Sequence, residues 1–418
     1  MSANHLPVRE LLSKLTAAGR SCTLLGVGPV SPTVVRGTFE ACRNYDCPPI
    51  FIASRNQVDL ESLGHGYLMG GMDQKKFVEL VHTVGGEVGY AGPIYICRDH
   101  GGPWQRNVEL DERYEVDRAM EIAKVSFRAD IEAGFNYLHI DPTKCPHPFT
   151  QDQLVEWTVE LMAFCEEVRR SLGAGEIDYE VGTEDIQGGL TTDETFGEFL
   201  TKLTARLKAD DLPAPTTIVG QTGTLCKVDH NVGHFSQDQT RRLVKIAADC
   251  GIGFKEHNGD YLSAATCRIH PELGVSGMNV APEFGLVETD ACLHLAALEA
   301  KLVGEGWVAE DQASGFKELI RERTFADSPW GKWMTDEIKA LPAERIEADD
   351  ALRLLISRVC GHYVYPMPAV AQARKTLFAN IDRHKLVDSA EQFVTSRVRE
   401  AIEYYLEPFA LKGVNSLI

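Results

Sequence analysis

Eight short β-rich runs, each followed by a helical pattern, constrain the fold of this chain more than any other feature. Alternating strands and helices form parallel sheets, and eight such units predict a closed (β/α)8 TIM barrel. The predicted strands cover residues 23–28, 49–53, 94–98, 137–141, 177–182, 216–221, 252–257 and 277–281. An open doubly wound sheet is the alternative, but "LLGVGPVS" at the first strand lacks the GxGxxG dinucleotide fingerprint.

The segments between the predicted strands have helical spacing. In residues 193–208, five apolar side chains fall on one helix face: Phe196, Phe199, Leu200, Leu203 and Leu207. Residues 112–133 repeat the pattern, and Gly134 is placed to end that helix in a left-handed conformation. The strand signal stops near residue 305, and the later segments favour helices. We therefore predict a barrel over residues 1–305 and a C-terminal helical appendage over residues 306–418.

Composition and charge restrict the class of protein. The formal net charge is −19 at pH 7, which argues against nucleic acid, because nucleic-acid binding depends on basic patches. The chain has no run of about 18 apolar residues and no basic-then-apolar start, which argues against a membrane span or a secretory signal. The eleven cysteines contain no CxxC pair, and their odd number fits no closed disulfide framework. We expect a cytoplasmic protein with reduced thiols.

Side chains that can carry chemistry concentrate where the predicted strands end, which is where barrel enzymes hold their catalytic residues. The third strand ends in Asp99 and His100, and the fourth carries His139 and Asp141 on one face. The later strands contribute a further group of polar residues: Glu184, Asp185, Lys227, Asp229, His230, His234, Lys255, His257, Asp260, Asn279 and Glu283.

Three histidines in this group predict a metal site. His100, His230 and His257 follow three different strands, each near a carboxylate, whereas a lone histidine is more often structural. Three neutral imidazoles that leave a fourth position open are typical of catalytic zinc. Asp99 precedes one ligand, so we expect it to act as a general base; the alternative is that it caps the following turn. Glu184 is a candidate fourth ligand or proton carrier, or a surface acid.

Cations surround the same positions although the chain is acidic overall. Lys144, Lys227 and Lys255 favour an anionic substrate such as a sugar phosphate. Ion pairing with local acids is the alternative, and Arg98 can instead point outward to the helices. The predicted substrate-binding residues are His139, Asp141, Lys144, Lys227, Asp229, Lys255, Asp260 and Asn279.

Six segments, "RDHGGPW", "AGFNYLHID", "YEVGTED", "KVDHNVGHF", "FKEHNGDY" and "GHYVYP", follow one another along nearly the whole chain. They resemble, in the same order, motifs of the class II D-tagatose-1,6-bisphosphate aldolase accessory-subunit family, which older labels call tagatose-6-phosphate kinases. No P-loop or kinase signature supports the kinase label. The family is similar to metal-dependent class II aldolases, which implies a (β/α)8 barrel.

The resemblance also implies roles for individual residues. By position, His100, His230 and His257 match the zinc ligands, Asp99 matches the acid/base aspartate, and Glu184 matches a further acidic residue of the site. Two segments depart from the aldolase pattern. "NGD" replaces a Gly-Gly-Ser phosphate loop after the seventh-strand histidine, and "NVAPE" replaces an Asn-Val-Asp-Thr-Asp-like loop after the eighth strand.

These residues predict three alternative functions. The first is metal-dependent cleavage of the C3–C4 bond of a tagatose- or fructose-type ketose or ketose phosphate, with Asp99 as the acid/base. The second is C4 epimerisation of the same sugars, in which the bond breaks and closes again after the aldehyde turns over. The third is a non-catalytic subunit that stabilises a separate class II aldolase catalytic subunit. We expect zinc as the divalent metal and a homo-oligomer as the assembly.

Overall fold

The computed structural model describes residues 6–182 and 191–418, and its centre is a closed barrel of eight parallel strands. The strands are β1 Leu24–Val27, β2 Ile50–Ser54, β3 Tyr95–Gly101, β4 Tyr137–Ile140, β5 Asp178–Gly182, β6 Thr217–Val219, β7 Gly253–Glu256 and β8 Val275–Val280. Each strand pairs with the next in sequence, and β1 closes the ring on β8, with Leu24 opposite Gly277. The predicted TIM barrel is confirmed, and each predicted strand overlaps one of these eight.

Helices surround the barrel because both faces of a parallel sheet need apolar cover. The first ten are α1 Val8–Ala17, α2 Pro32–Tyr45, α3 Gln74–Val88, α4 Asn107–Asp111, α5 Val116–Ala133, α6 Gln151–Leu172, α7 Asp193–Ala209, α8 Gln237–Asp249, α9 Ala264–Leu273 and α10 Pro282–Gly304. Helix α7 buries the five apolar side chains that predicted its inner face. Helix α5 ends at Gly134, whose φ of 98° is the expected left-handed cap.

Six further helices follow the barrel: α11 Phe316–Asp327, α12 Asp336–Lys339, α13 Ala343–Ala348, α14 Asp350–Val364, α15 Pro368–Arg383 and α16 Ala390–Leu406. Val398 and Ile402 of α16 share one buried cluster with Leu24 of β1 and Val34 of α2. The helical nature of this region is as predicted, whereas its separation as a domain at residue 305 stays a prediction. No helix in the described part of the chain is long and apolar enough to cross a bilayer.

A small hairpin after β6 links the mouth of the barrel to this C-terminal region. Its two short strands are Cys226–Lys227 and His230–Asn231, which pair antiparallel. The backbone N–H of Val228 donates to the carbonyl of Trp333 at 2.9 Å, and Arg358 of α14 pairs with Asp229 at 3.1 Å. The hairpin and the segment between α11 and α12 are therefore held together above the barrel.

Candidate functional site

A β-bulge near the end of β3 explains how Asp99 and His100 face the same space. Arg98 lies opposite Leu138 and Gly101 opposite Ile140, so β3 carries one more residue than β4 over this interval. The φ of His100 is 44°, a left-handed value that is uncommon for a residue other than glycine. In a regular strand two successive side chains would point to opposite faces, but the bulge brings both to the cavity above the barrel.

Three histidine side chains converge at this end of the barrel. His100 of β3, His139 of β4 and His257 after β7 each offer a nitrogen within 4.8 Å of the others. Their ring centroids are 4.7 Å apart for His100 and His257, 5.1 Å for His100 and His139, and 5.4 Å for His139 and His257. His139 and His257 are buried and His100 is partly exposed. This cluster is the candidate metal site.

The spacing and the lone pairs of the cluster's nitrogens suit the binding of a metal ion. Nε2 of His100 and Nδ1 of His257 lie 3.1 Å apart, close to the spacing of about 3.3 Å for two ligands of a tetrahedral zinc ion. Nε2 of His139 is buried and has no hydrogen-bond partner among the described residues. A Cβ on Gly182 would lie 2.8 Å from that nitrogen, so the glycine leaves the adjoining space open. The three residues therefore fit a divalent cation.

Carboxylates behind the rings fix their orientation. Nδ1 of His100 donates to Oδ2 of Asp141 at 2.7 Å, so the lone pair of that ring lies on Nε2. Nε2 of His257 donates to Oε1 of Glu180 at 3.2 Å. Nδ1 of His139 accepts the backbone N–H of His100 at 3.3 Å and lies 3.2 Å from the same Glu180 oxygen. These contacts turn the remaining nitrogens toward one another, as carboxylates behind metal-binding histidines commonly do.

The charges of the site favour ionised acids and a neutral ring at His139. Burial lowers the pKa of His139 to about 4, so its ring is neutral and able to bind a metal at neutral pH. Burial alone would raise the pKa of Glu180, but Lys255, whose Nζ lies 2.6 Å from Oε2, and His139 hold it well below its usual range. Burial likewise opposes ionisation of Asp141, but the hydrogen bond from His100 and the charges of His139 and Lys144 together outweigh burial, so the pKa of Asp141 is also well below its usual range.

Asp99 lies at the edge of the histidine cluster. Its Oδ1 accepts a hydrogen bond from Nδ2 of Asn279 at 2.9 Å and is 3.9 Å from Nε2 of His257. Burial would raise the pKa of Asp99, but the neighbouring His100 and His257 outweigh burial and lower it. A carboxylate that stays ionised and keeps one oxygen free can accept a proton from a ligand in the cavity.

The structure places His230, a predicted metal ligand, away from the histidine cluster. This residue lies in the hairpin after β6, where its side chain is 58% exposed and its Nδ1 is 3.3 Å from Asp229. It does not join the cluster, because the tight antiparallel pairing of Lys227 with His230 directs the ring to solvent. His139, a predicted substrate-binding residue, is the third histidine of the cluster.

Two other predicted substrate-binding residues are engaged in ion pairs. Asp229 pairs with Arg358 of α14, and buried Lys255 pairs with Glu180 beneath the cluster. For Lys255 the ion-pair alternative describes the structure. Arg98 also follows its alternative: it points outward to α5, where its Nε donates to Oδ2 of Asp130 at 2.9 Å.

A cavity of about 370 Å³ lies above the cluster, within the size range of small-molecule sites. The predicted site residues that line it are Asp99, His100, Lys144, Lys227, His257, Asp260 and Asn279. Oδ1 of Asp260 accepts hydrogen bonds from the backbone N–H groups of Ala281 and Glu283, so this aspartate also caps α10. Glu184 lies outside the described residues.

Sequence reasoning missed several residues of this site. Glu180 is a charged residue in the middle of a buried strand, and that unusual position is the signal that could have found it. The C-terminal region adds Lys332, Trp333, His362 and Tyr363 to the cavity wall. Only the motif "GHYVYP", which contains the last two, marked any of these C-terminal residues in advance.

Sequence comparison gives the same family over nearly the whole chain. The family model described as D-tagatose-1,6-bisphosphate aldolase subunit GatZ/KbaZ-like matches residues 9–411. "D-tagatose-1,6-bisphosphate aldolase subunit GatZ" from Escherichia coli (strain SMS-3-5 / SECEC) is 25% identical over 390 residues, covering 87% of this chain and 86% of the relative. The protein of the same name from Shigella boydii serotype 18 has the same identity and coverage.

Solved structures share the fold at lower identity. A probable tagatose 6 phosphate kinase from Sinorhizobium meliloti 1021 has a TM-score of 0.71 and 19% identity, covering 92% of this chain and all (100%) of that one. The fructuronate-tagaturonate epimerase UxaE from Cohnella laeviribosi has a TM-score of 0.57 and 11% identity, covering 93% and 81%. These likenesses support the barrel alone. The family match supports more, and confirms the resemblance found in the sequence: the chain belongs to the GatZ/KbaZ-like family of D-tagatose-1,6-bisphosphate aldolase subunits.

Proposed function

We propose that this chain is a metal-dependent enzyme of aldol chemistry that cleaves a tagatose- or fructose-type ketose or ketose phosphate between C3 and C4. One observation carries the proposal: the ionised carboxylate of Asp99 lies beside three converging histidines, two of which line a cavity at the mouth of the barrel. A barrel with no chemistry to perform would gain nothing from a strained φ at His100 that brings these two side chains together.

His100, His139 and His257 would hold the metal, and zinc is the ion that three neutral imidazoles with an open position suit best. A divalent cation bound there would act as a Lewis acid on the carbonyl of the ketose. Asp141 and Glu180 would keep the three rings in the orientation that binding requires. Glu184, as a further acidic residue of the site, remains part of this proposal.

Asp99 would perform the proton transfer of the reaction. As the C3–C4 bond breaks, its carboxylate accepts the proton of the C4 hydroxyl, and the C4 oxygen becomes that of an aldehyde. The bonding electron pair stays on C3 of the ketone fragment. Asn279 would position Asp99 for this proton transfer, because its amide donates to the carboxylate and restricts how the carboxylate can rotate.

C4 epimerisation is a second candidate, favoured by the C-terminal residues that add to the cavity wall. Lys332, Trp333, His362 and Tyr363 of the C-terminal region line the cavity together with the barrel residues. A cavity walled in this way would retain the aldehyde fragment long enough for it to turn over and re-form the bond on its other face. The residues that break the bond would be the same in both reactions.

A subunit role is a third candidate, because the curated relatives carry the word subunit in their names. In that case the chain would bind and stabilise a separate class II aldolase catalytic subunit without turning over sugar itself.

A cytoplasmic location, which we also propose, agrees with eleven cysteines that are all free.

The isolated chain, loaded with zinc, tests these candidates on fructose and tagatose phosphates. Release of triose phosphates supports cleavage, and appearance of the C4 epimer by NMR without triose release supports epimerisation. Asp99→Asn should abolish either activity, whereas Asp111→Asn, on an exposed acid of α4, should leave it unchanged. An inert chain that raises the activity of a purified class II aldolase would support the subunit role and contradict the enzyme.

A further inference from the structure

Three lysines from separate segments meet at the mouth of the cavity. Lys144 follows β4, Lys227 belongs to the hairpin after β6, and Lys332 lies in the turn Trp330–Lys332 of the C-terminal region. All three line the same cavity as Asp99 and His257. One small molecule can therefore contact the lysines and the histidine cluster at once.

The lysines lie near one another, with Asp141 in electrostatic range of Lys144 and Asp336 in electrostatic range of Lys227. Nζ of Lys227 is 3.5 Å from the backbone carbonyl of Lys332. Desolvation, followed by the charges of Lys144 and Lys227, lowers the pKa of Lys332 to about 8. Within residues 6–182 and 191–418, none of the three forms an ion pair, although the chain carries 61 acidic residues against 42 basic ones.

Such a group of like charges is unfavourable until an anion binds to it. Each ammonium group offers three donors, and lysine is a common ligand of phosphate as a point charge. A phosphate ester carries close to two negative charges, more than a carboxylate, and so relieves more of the repulsion among three cations. Asp260, the other acid besides Asp99 that lines the cavity among the described residues, has one oxygen occupied by two backbone N–H groups at the start of α10.

We propose that Lys144, Lys227 and Lys332 form a phosphate-binding site that holds the phosphate group of a ketose phosphate while its sugar carbons reach the histidine cluster. The sugar portion of this inference rests on the proposed function, whereas phosphate binding by the lysines does not. This site would take the place of the Gly-Gly-Ser phosphate loop, which is absent where "NGD" stands. It also makes the C-terminal region part of the substrate site.

The contacts that hold this region in place support that arrangement. The hydrogen bond from Val228 N–H to the carbonyl of Trp333, at 2.9 Å, joins the hairpin to the residue after Lys332. Nζ of Lys332 lies 5.3 Å from the ring centre of Trp333, a cation–π contact that limits where the ammonium can lie. Lys332 is thus presented to the cavity by a fixed turn.

Calorimetric titration of the metal-free full chain tests the inference independently of catalysis. The ligands are inorganic phosphate, fructose 6-phosphate, fructose and fructuronate, and the variants are Lys144→Met, Lys227→Met and Lys332→Met. Lys208→Met is the matched control, because this exposed lysine lies at the C-terminal end of α7, the end of the helix away from the mouth. Thermal unfolding of each variant confirms that it is folded.

We expect fructose 6-phosphate to bind at least roughly tenfold more tightly than fructose, and each of the three substitutions to weaken it roughly tenfold, the effect of losing one charge-assisted hydrogen bond. The control should bind like the unmodified chain. Equal binding of fructose and fructose 6-phosphate, or unchanged binding in all three variants, overturns the proposal. Tighter binding of fructuronate than of fructose 6-phosphate overturns it in favour of a sugar-acid site. Lysine-dependent phosphate binding by a chain without any activity would leave this site standing and refute only the proposed enzyme.

Discussion

The carboxylate of Asp141 accepts a hydrogen bond from Nδ1 of His100 at 2.7 Å, and this contact decides which nitrogen of His100 faces the cluster. Asp141 is buried and ionised, so it requires a proton on Nδ1 and leaves the lone pair on Nε2. The bulged conformation of His100 alone would not fix the ring, because rotation about its side-chain bonds would still exchange the two nitrogens.

Asp141→Asn should therefore lower the affinity of the chain for zinc about 10–100-fold, the range found when the partner of a metal-binding histidine is removed. An amide can still occupy the space but no longer demands a proton from Nδ1. Competition of the purified chain with a fluorescent zinc chelator measures the change. Equal zinc affinities for the variant and the unmodified chain would show that His100 is not oriented by this contact.

A second prediction separates the two histidines that compete for the third ligand position. His139→Ala should lower zinc binding by more than about tenfold, because it removes one of three nitrogens from the cluster. His230→Ala should keep full zinc binding, because its ring is exposed on the hairpin. Metal analysis of both variants after dialysis against zinc gives the comparison. Zinc loss from His230→Ala with retention in His139→Ala would restore the ligand set inferred from the sequence.

A third prediction concerns the buried pair beneath the cluster. Nζ of Lys255 lies 2.6 Å from Glu180, and their side chains are 5% and 0% exposed. Glu180→Gln should lower the free energy of unfolding by about 3–5 kcal/mol, because it leaves a buried ammonium without its counter-charge. Lys255→Met should lower the free energy of unfolding by a similar amount, because it leaves the buried carboxylate of Glu180 without its counter-charge. The double variant should lower the free energy of unfolding by less than the sum of the two single effects, since neither charge then remains buried alone.

Urea denaturation of the metal-free chain at pH 7 measures these differences without a contribution from bound zinc. Glu176→Gln is the control, because this glutamate is 68% exposed and its pairing with Arg9 is long, at 4.0 Å. We expect it to change the free energy of unfolding by less than about 0.5 kcal/mol. Strictly additive costs in the double variant would show that Glu180 and Lys255 do not stabilise each other.

The sequence predicted the barrel because eight short β-rich runs alternate with helical segments, a local pattern that favours a parallel sheet and needs no distant information. It also predicted Asp99, His100 and His257, because they stand where strands end. His230 lies apart from the cluster, which its strand-end position could not show, because that position says nothing about the path of the loop that follows. The hairpin there turns the ring away, and its pairing of Lys227 with His230 becomes visible only in three dimensions.

The position of Lys332 in the site could not be predicted from the sequence for a different reason. This lysine lies 105 positions after Lys227 in the sequence, in a turn with no motif of its own, yet its carbonyl lies 3.5 Å from the Nζ of Lys227. Such a contact depends on how the C-terminal helices pack on the barrel, and helical spacing alone does not determine that packing. Local patterns therefore predicted the part of the site that the barrel builds and missed the part that the appendage adds.

The last prediction uses His362, a buried histidine of α14 in the cavity wall whose Nδ1 has no hydrogen-bond partner among the described residues. Burial lowers its pKa from 6.5 to about 3. Between these two values the unfolded chain binds a proton that the folded chain does not, so the free energy of unfolding falls as the pH is lowered through this range. The greatest contribution of one such group is about 1.4 kcal/mol per pH unit.

His362→Phe should remove this contribution, because a phenyl ring fills similar space and cannot take up a proton. The free energy of unfolding of the variant, measured in urea at pH 7, 6 and 5, should therefore decrease less toward acid than that of the unmodified chain. His82→Phe, on an exposed face of α3, should keep the original dependence. If His362→Phe and His82→Phe lose stability equally between pH 6 and pH 5, His362 is not the group that remains unprotonated in the folded chain, and its ring must be reached by water or a proton acceptor in solution.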